Sequence, residues 1–196
     1  MPQRIRRPSD ALRFMLTLAA LGAVVLLALA LQRTLNGLET DVQAGTGLAP
    51  QVLSAISGLL GGVAVLVVPV AFAVERVFHR DGMRVTQGLI AAILALVIAY
   101  SLDEWLVLAG PAELKQLLTG GRDVEPLNSV LTPAIAYATA VRMSRRPQWR
   151  AFMWIAIALD VLALFTANKV TALGVILTYL VGLAVGFGTL YGIGSA

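Results

Sequence analysis

The chain has 196 residues, of which 58% are hydrophobic and 13% charged, with a mean hydropathy of +0.83 and a formal net charge of +4. So apolar a composition excludes an ordinary soluble domain. The absence of cysteine excludes disulfides, thiolate catalysis and cysteine-ligated metals. The apolar residues form blocks long enough to cross a bilayer, which takes roughly 20 helical residues. We therefore predict an all-α, polytopic membrane protein that does not bind nucleic acid.

Six apolar segments follow one another, separated by short polar connections. They predict one transmembrane domain, a six-helix bundle with spans at residues 14–31, 52–74, 85–108, 129–143, 151–167 and 170–193. The first segment has the charge order of a signal peptide, but it exceeds the usual apolar core of about 7–15 residues, so we interpret it as an uncleaved span. The fourth is the shortest. Because the sequence stops soon after the sixth span, we expect it to be the N-terminal part of a larger protein.

The orientation of the spans is predicted from their basic residues. Eleven Lys and Arg residues fall at the N-terminus and in the second-to-third and fourth-to-fifth connections, against four on the opposite side. Cytoplasmic loops of membrane proteins are enriched in Lys and Arg. We therefore predict a multi-pass protein of the bacterial inner (cell) membrane, with both termini cytoplasmic.

Polar residues in or beside the spans are the candidates for a ligand site. Asp160 interrupts the fifth span, where an ionised carboxylate facing lipid costs about 3 kcal/mol. It is either a proton or substrate contact, or an aspartate hydrogen-bonded to a neighbouring helix. We predict a ligand pocket that combines Asp160 with residues at the outer ends of the spans or inside the bundle. Its six members are Asp103, Glu104, Pro133, Tyr137, Asp160 and Lys169.

Two further groups of residues have simpler interpretations. The basic cluster Arg145, Arg146 and Arg150 is predicted to contact anionic lipid headgroups, although topology alone also accounts for it. In the sixth span, Gly182, Gly186, Gly188 and Gly192 include pairs four residues apart, which lets helices pack closely in lipid. Their partner is either internal or a second copy of the chain. The single histidine, His79, is predicted in a cytoplasmic turn.

The order of these features resembles a known family. The third span ends at Gly110-Pro111, the fourth opens with Pro133, and a tight turn leads into a glycine-rich sixth span. This layout resembles the type 2 phosphatidic acid phosphatase superfamily, whose motifs are K-x6-R-P, P-S-G-H and S-R-x5-H-x3-D. In this chain Asp103 and Gly110 take the lysine and arginine places of the first motif. The second is replaced by Pro133-Ala134-Ile135-Ala136.

The resemblance implies a phosphatase-type bundle without its catalytic set. The family's chemistry uses one histidine as nucleophile on phosphorus and a second as acid/base partner, roles that Ala136 and aliphatic residues cannot fill. His79 is predicted on the wrong side of the membrane. We therefore predict a pseudoenzyme with no catalytic residues, no cofactor and no metal.

A second resemblance concerns the two ends of the sequence. The opening RRPSDALR and the closing GLAVGFGTLYGIGS are similar to the N-terminal membrane domain of actinobacterial proteins that carry a flippase-like, lysylphosphatidylglycerol synthase transmembrane region. This implies a lipid-binding or assembly domain of a larger lipid-handling protein, with membrane lipids and a C-terminal domain of the same protein as partners. The alternatives are a flippase or ion-coupled transporter that uses Asp160, and an oligomeric pore assembled through the last span.

Overall fold

The computed structural model describes residues 8–30, 51–78, 82–122, 124–143, 147–167 and 169–193. In these ranges the chain forms seven helices and no strand: α1 (Pro8–Ala30), α2 (Gln51–Phe78), α3 (Gly82–Leu108), α4 (Ala112–Thr119), α5 (Leu131–Ala140), α6 (Pro147–Thr166) and α7 (Ala172–Ile193). Helices α1, α2, α3, α6 and α7 are long enough and apolar enough to cross a membrane. The predicted all-α class and the multi-pass character are therefore confirmed.

The spans differ in how far they are surrounded by protein. In an apolar 18-residue stretch of α7, 56% of the residues are buried, against 6% in the corresponding stretch of α1. Helix α7 packs on α1, α3 and α5, whereas α2 packs mainly on α6. Large apolar side chains such as Met15, Leu26 and Ile93 remain exposed, which suits a surface that faces lipid tails. Helix α7 is thus the centre of the bundle and α1 lies at its periphery.

The fourth predicted span differs most from expectation. Residues 129–143 were predicted as the shortest of six spans, and the helix within them, α5, has only ten residues. At a rise of about 1.5 Å per residue it is about 15 Å long, half of a hydrocarbon core of about 30 Å. The helix is preceded by non-helical chain, residues 124–130, which forms hydrogen bonds with α3 and α7.

This non-helical segment obtains its hydrogen bonds from neighbouring helices. The backbone N–H of Leu127 donates to Oδ1 of Asp103 at 3.2 Å, and that of Asn128 donates to Oγ1 of Thr178 at 3.0 Å. Non-helical backbone is tolerated at membrane depth only where protein or enclosed water satisfies it. Asp103 therefore has a structural role, because it holds the partly buried chain that leads into α5.

Helix α5 has a defined beginning and end. Oδ1 of Asn128 accepts hydrogen bonds from the backbone N–H groups of Val130 and Leu131, at 2.9 and 2.8 Å, which is the pattern of a helix N-cap. The chain leaves the helix at Arg142, which has a φ of +55°. This left-handed conformation is uncommon for a residue other than glycine. Between these points most residues are buried, so α5 is a core helix of the bundle.

The connection between the third and fourth predicted spans contains helix α4, which was not predicted from the sequence. Helix α4 ends at Gly120 in the left-handed region, with φ of +61°, and the N–H of Gly120 donates to the carbonyl of Gln116. The hydroxyl of Thr171 donates to the carbonyl of Leu118 at 2.8 Å and so ties α4 to the start of α7. Leucines of α4 join an apolar cluster with Leu173, which closes this end of the bundle.

The opposite end of the bundle collects basic residues. There the start of α1 meets the end of α7, since Phe14 lies against Gly188, and the end of α2 meets the start of α6, since the rings of Phe72 and Trp149 are 5.3 Å apart. We call this the arginine end and define it by basic residues near the ends of α1, α2, α3, α5 and α6: Arg13, Arg76, Arg84, Arg142 and Arg150. The described starts and ends of the chain thus share one end of the bundle.

Candidate functional site

The six residues of the predicted ligand pocket are spread over the bundle. The ring of Tyr137 packs against Gly88 near the arginine end, where a Cβ atom on Gly88 would lie 2.6 Å from Cε2 of the tyrosine. Asp103 lies fifteen residues further along the same helix, α3, and at a rise of about 1.5 Å per residue that is about 22 Å away. These two residues therefore belong to opposite ends of the bundle.

The remaining four residues occupy separate places. Asp160 is buried in the contact between α6 and α2, where Gly61 lies against its backbone. Glu104 and Lys169 are exposed, and Pro133 is half-buried in the first turn of α5. None of the six lines either cavity described below. Ligand binding at these residues stays a prediction.

A cavity of about 430 Å³ opens at the arginine end, between α1, α5, α6 and α7; we call it the arginine cavity. Three guanidinium groups, those of Arg13, Arg142 and Arg150, belong to its wall. The rest of the lining is mainly apolar or aromatic: Ile135, Ala138, Thr139, Met143, Met153, Trp154, Ile157, Tyr179, Leu183, Phe187 and Leu190. Basic groups at the rim of an apolar cavity favour an amphiphile with a negative group.

The basic residues of the cavity are held by different contacts. The guanidinium of Arg13 lies 5.9 Å from the ring centroid of Phe187, within the range of a cation–π interaction. Nη2 of Arg142 donates to Oδ2 of Asp10 at 2.6 Å. Arg150 is exposed in the first turns of α6. The side chains of two different helix starts and one helix end thus converge on the same opening.

The aromatic wall of the arginine cavity is formed by facing helices. The rings of Trp154, on α6, and Tyr179, on α7, have centroids 5.6 Å apart. Tyr179 lies fourteen residues, about 21 Å, before the end of α7, so this pair forms the inner part of the cavity wall and not its opening at the arginine end.

Sequence reasoning found part of this site. Of the predicted headgroup residues, Arg150 lines the arginine cavity, while Arg145 and Arg146 lie outside the described residues, as does His79. Arg13 and Arg142 were interpreted only as topology determinants. Their basic character was visible in the sequence, but the contact that joins the start of α1 to the end of α5 had no local signal.

A second cavity, of about 590 Å³, lies on the other side of the contact between α1 and α7 and extends to α3. Among the described residues that line it, Thr189 is the only polar one and none is charged. Phe14 and Gly188 lie on its wall. Such a surface offers contact to hydrocarbon but no group that would select one ligand over another.

The glycines of α7 mostly serve contacts within the chain. A Cβ atom on Gly182 would lie 2.8 Å from Cβ of Ile135, and one on Gly186 would lie 2.6 Å from Cβ of Thr139. Gly188 lies against the ring of Phe14. A Cβ on Gly192 would have no neighbour within 4 Å. The partner that the spacing left open is therefore internal for three of the four glycines, which bring α5 and α1 close to α7.

The chemistry of the described side chains offers no cluster of three or more His, Cys, Asp or Glu residues that would hold a metal ion. Comparison of the chain with protein-family models, with curated proteins and with solved structures finds no match. The fold and the two cavities define a multi-pass α-helical membrane protein. Its function is therefore argued from the geometry of the arginine cavity.

Proposed function

We propose that this chain is a non-catalytic, multi-pass domain of the cell membrane that binds an anionic lipid in the arginine cavity, as part of a larger lipid-handling protein. The observation that carries the proposal is the meeting of Arg13, Arg142 and Arg150 around an otherwise largely apolar cavity. Phosphate oxygens accept charge-assisted hydrogen bonds from guanidinium groups, and the planar fork of arginine suits them. The apolar lining contacts the glycerol and upper acyl groups.

The size and position of the cavity support this assignment. A volume of about 430 Å³ falls within the range of about 300–1,000 Å³ that is usual for small-molecule sites. It accommodates a headgroup and the nearby part of the lipid, while the acyl chains continue along the exposed apolar surface of the helices. With the arginine end cytoplasmic, as the positive-inside bias predicts, the site faces the leaflet that is richest in anionic lipid.

The proposal differs from the pocket implied by the phosphatase resemblance. That pocket would lie at the end of α3 and the start of the fourth crossing, near Asp103 and Pro133, and it would carry negative charge. Because carboxylates repel a phosphate, the arginine cavity is the better binding site for an anionic headgroup. It requires no histidine and no reaction.

The test uses short-chain lipids added to the full chain in non-ionic detergent. We expect dihexanoyl-phosphatidylglycerol to bind, and dihexanoyl-phosphatidylcholine and inorganic phosphate to bind at least about tenfold more weakly, as isothermal titration calorimetry would measure. Replacing Arg13 and Arg150 together by glutamine removes two charge-assisted contacts, each worth about 1 kcal/mol at a partly exposed site, so affinity falls about tenfold or more.

The matched control is Lys115→Gln, which removes one charge from an exposed position on α4, at the other end of the bundle. It should leave the affinity unchanged, whereas Arg150→Gln alone should weaken it. Equal affinity for the two lipids, or equal losses in Lys115→Gln and Arg150→Gln, would show that binding is not selective for this cavity. Equal binding of inorganic phosphate would assign the site to a free anion rather than a lipid.

A second candidate function is ion-coupled transport through Asp160. This carboxyl group is 8% exposed within a span, and no side chain in the described part of the chain forms a hydrogen bond or ion pair with it. Ionisable residues inside membrane spans often lie on proton or substrate pathways. The test measures ion flux into proteoliposomes that contain the protein. Flux that is lost in Asp160→Asn and kept in Glu113→Gln supports the transport function. The absence of flux in the unmodified chain rejects it.

A further inference from the structure

Asp10, in the first turn of α1, is a carboxylate in direct contact with one of the arginines of the cavity. Its Oδ2 accepts a 2.6 Å hydrogen bond from Nη2 of Arg142, a residue 132 positions later. Asp10 is 3% exposed, while the side chain of Arg142 is 19% exposed and faces the cavity. The buried anion thus lies behind the basic wall, in contact with the same guanidinium that an anionic ligand would use.

The charges at this place make the two anions competitors. A short N–H···O contact between guanidinium and carboxylate is a strong, charge-assisted hydrogen bond. A phosphate that binds Arg142 brings a second negative charge within a few ångströms of Asp10, and like charges in a low-dielectric site repel strongly. At Arg142, replacement of the Asp10 carboxylate by the phosphate is therefore more favourable than binding of both anions at once.

The two elements joined by this ion pair are suited to separate. Helix α1 is the least buried of the five long helices, since only 6% of its apolar 18-residue stretch is buried. Arg142 has the left-handed backbone conformation, with φ of +55°. A residue other than glycine is strained in this conformation and keeps it only where surrounding contacts stabilise it. The contact with Asp10 is one such support. If Arg142 loses its contact with Asp10, the first turn of α1 therefore loses a contact that holds it in place.

We infer that Asp10 is a built-in competitor for the anion site: an anionic headgroup that enters the arginine cavity displaces the Asp10 carboxylate from Arg142 and releases the first turn of α1. The inference rests on the proposed lipid binding. It adds an autoinhibitory contact to that site, and it makes the position of the start of α1 depend on the lipid. No covalent step is involved.

The first experiment measures affinity for dihexanoyl-phosphatidylglycerol in the full chain. Asp10→Asn removes the competing charge and keeps the shape, so we expect binding at least fivefold tighter than in the unmodified chain. Asp10→Glu retains the charge and should stay within about twofold. The matched control Glu113→Gln removes an exposed carboxylate from α4, away from the arginine end, and should leave the affinity unchanged.

The second experiment follows the start of α1 directly and does not depend on the folding of an Asp10 variant. The chain has no cysteine, so Ser9→Cys, at an exposed position, gives a unique site for a nitroxide spin label. We expect dihexanoyl-phosphatidylglycerol to increase the mobility of the label, whereas dihexanoyl-phosphatidylcholine leaves it unchanged.

The outcomes separate this inference from the proposed function. If the unmodified chain prefers phosphatidylglycerol but Asp10→Asn binds it no more tightly, or the label at position 9 stays as immobile as before, the inference is overturned and lipid binding stands. If the unmodified chain does not distinguish the two lipids, lipid binding and the inference fall together.

Discussion

Gly61 of α2 packs directly on the backbone of Asp160 in α6, because a Cβ atom on Gly61 would lie 2.6 Å from the Cα atom of Asp160. The two helices therefore approach as closely as main chains allow. Small residues at such crossings let membrane helices gain van der Waals contact. This crossing holds α2, which otherwise has few contacts with the bundle, and it encloses the Asp160 side chain.

Gly61→Ala is predicted to destabilise the protein. The added methyl group cannot be accommodated by a side-chain movement, since its neighbours are backbone atoms, and overpacking of this kind costs about 1–3 kcal/mol. Thermal unfolding in detergent measures the loss. The adjacent Gly62 gives the control: its Cβ would lie 3.7 Å from Oδ1 of Asp160, an ordinary contact, so Gly62→Ala should unfold near the temperature of the unmodified chain. Equal effects of the two substitutions would contradict the crossing geometry.

Asn128→Ala is predicted to loosen α5. The substitution leaves the N–H groups of Val130 and Leu131 without their acceptor, at a cost of about 0.5–2 kcal/mol. Asn128→Ser retains a capping oxygen and should restore most of the stability. Hydrogen exchange of the α5 amides, followed by mass spectrometry, would show faster exchange in the alanine variant. Unchanged exchange there would mean that packing alone holds the helix start.

Tyr137→Phe is predicted to stabilise the protein by about 1 kcal/mol. The tyrosine hydroxyl is buried, and in the described part of the chain it has no hydrogen-bond partner, so its removal takes away an uncompensated desolvation cost. The ring, which packs against Gly88, is kept. By contrast, Tyr137→Ala should cost about 3–5 kcal/mol through the cavity it leaves. A lower unfolding temperature in Tyr137→Phe would reveal a partner for the hydroxyl, such as an enclosed water molecule.

Ala138→Phe is predicted to block the arginine cavity without changing any charge. Ala138 lines the cavity on α5, and a phenyl group there takes up space that the lipid would fill. We expect at least tenfold weaker binding of dihexanoyl-phosphatidylglycerol by calorimetry. Ala19→Phe, at an exposed position on α1, adds the same group outside the cavity and should not affect binding. Retained binding in Ala138→Phe would show that the lipid binds to the basic surface around the cavity and not inside it.

The long helices could be predicted from the sequence because the signal for a span is local. Each apolar run carries its own length and hydropathy, and the predicted spans at residues 85–108 and 170–193 differ from α3 and α7 by only a few residues at their ends. The short fourth segment was predicted as a span because its apolar run was read together with the residues before it. The structure has a helix of only ten residues there, preceded by non-helical chain at residues 124–130.

The arrangement of side chains between helices could not be predicted in the same way. Asp10 and Arg142 are 132 residues apart, and nothing near either residue indicates the other. Asp103 looked like a pocket residue because it is a carboxylate near the end of a span, but its structural task depends on the backbone of Leu127. The positions of the basic residues along the chain can be read from the sequence. Their convergence on one cavity, however, follows from the packing of α1 and α5 on α7.

The dependence of α5 on α7 also bears on the order of biosynthesis. Helix α5 rests on Gly182 and Gly186, which the ribosome adds roughly forty residues after Ala140. At elongation rates of about 5–20 residues per second, the segment waits for several seconds before its main partner leaves the ribosome. A ten-residue helix is too short to be held by the bilayer alone. The packing of α5 is therefore completed only after α7 has been synthesised and inserted.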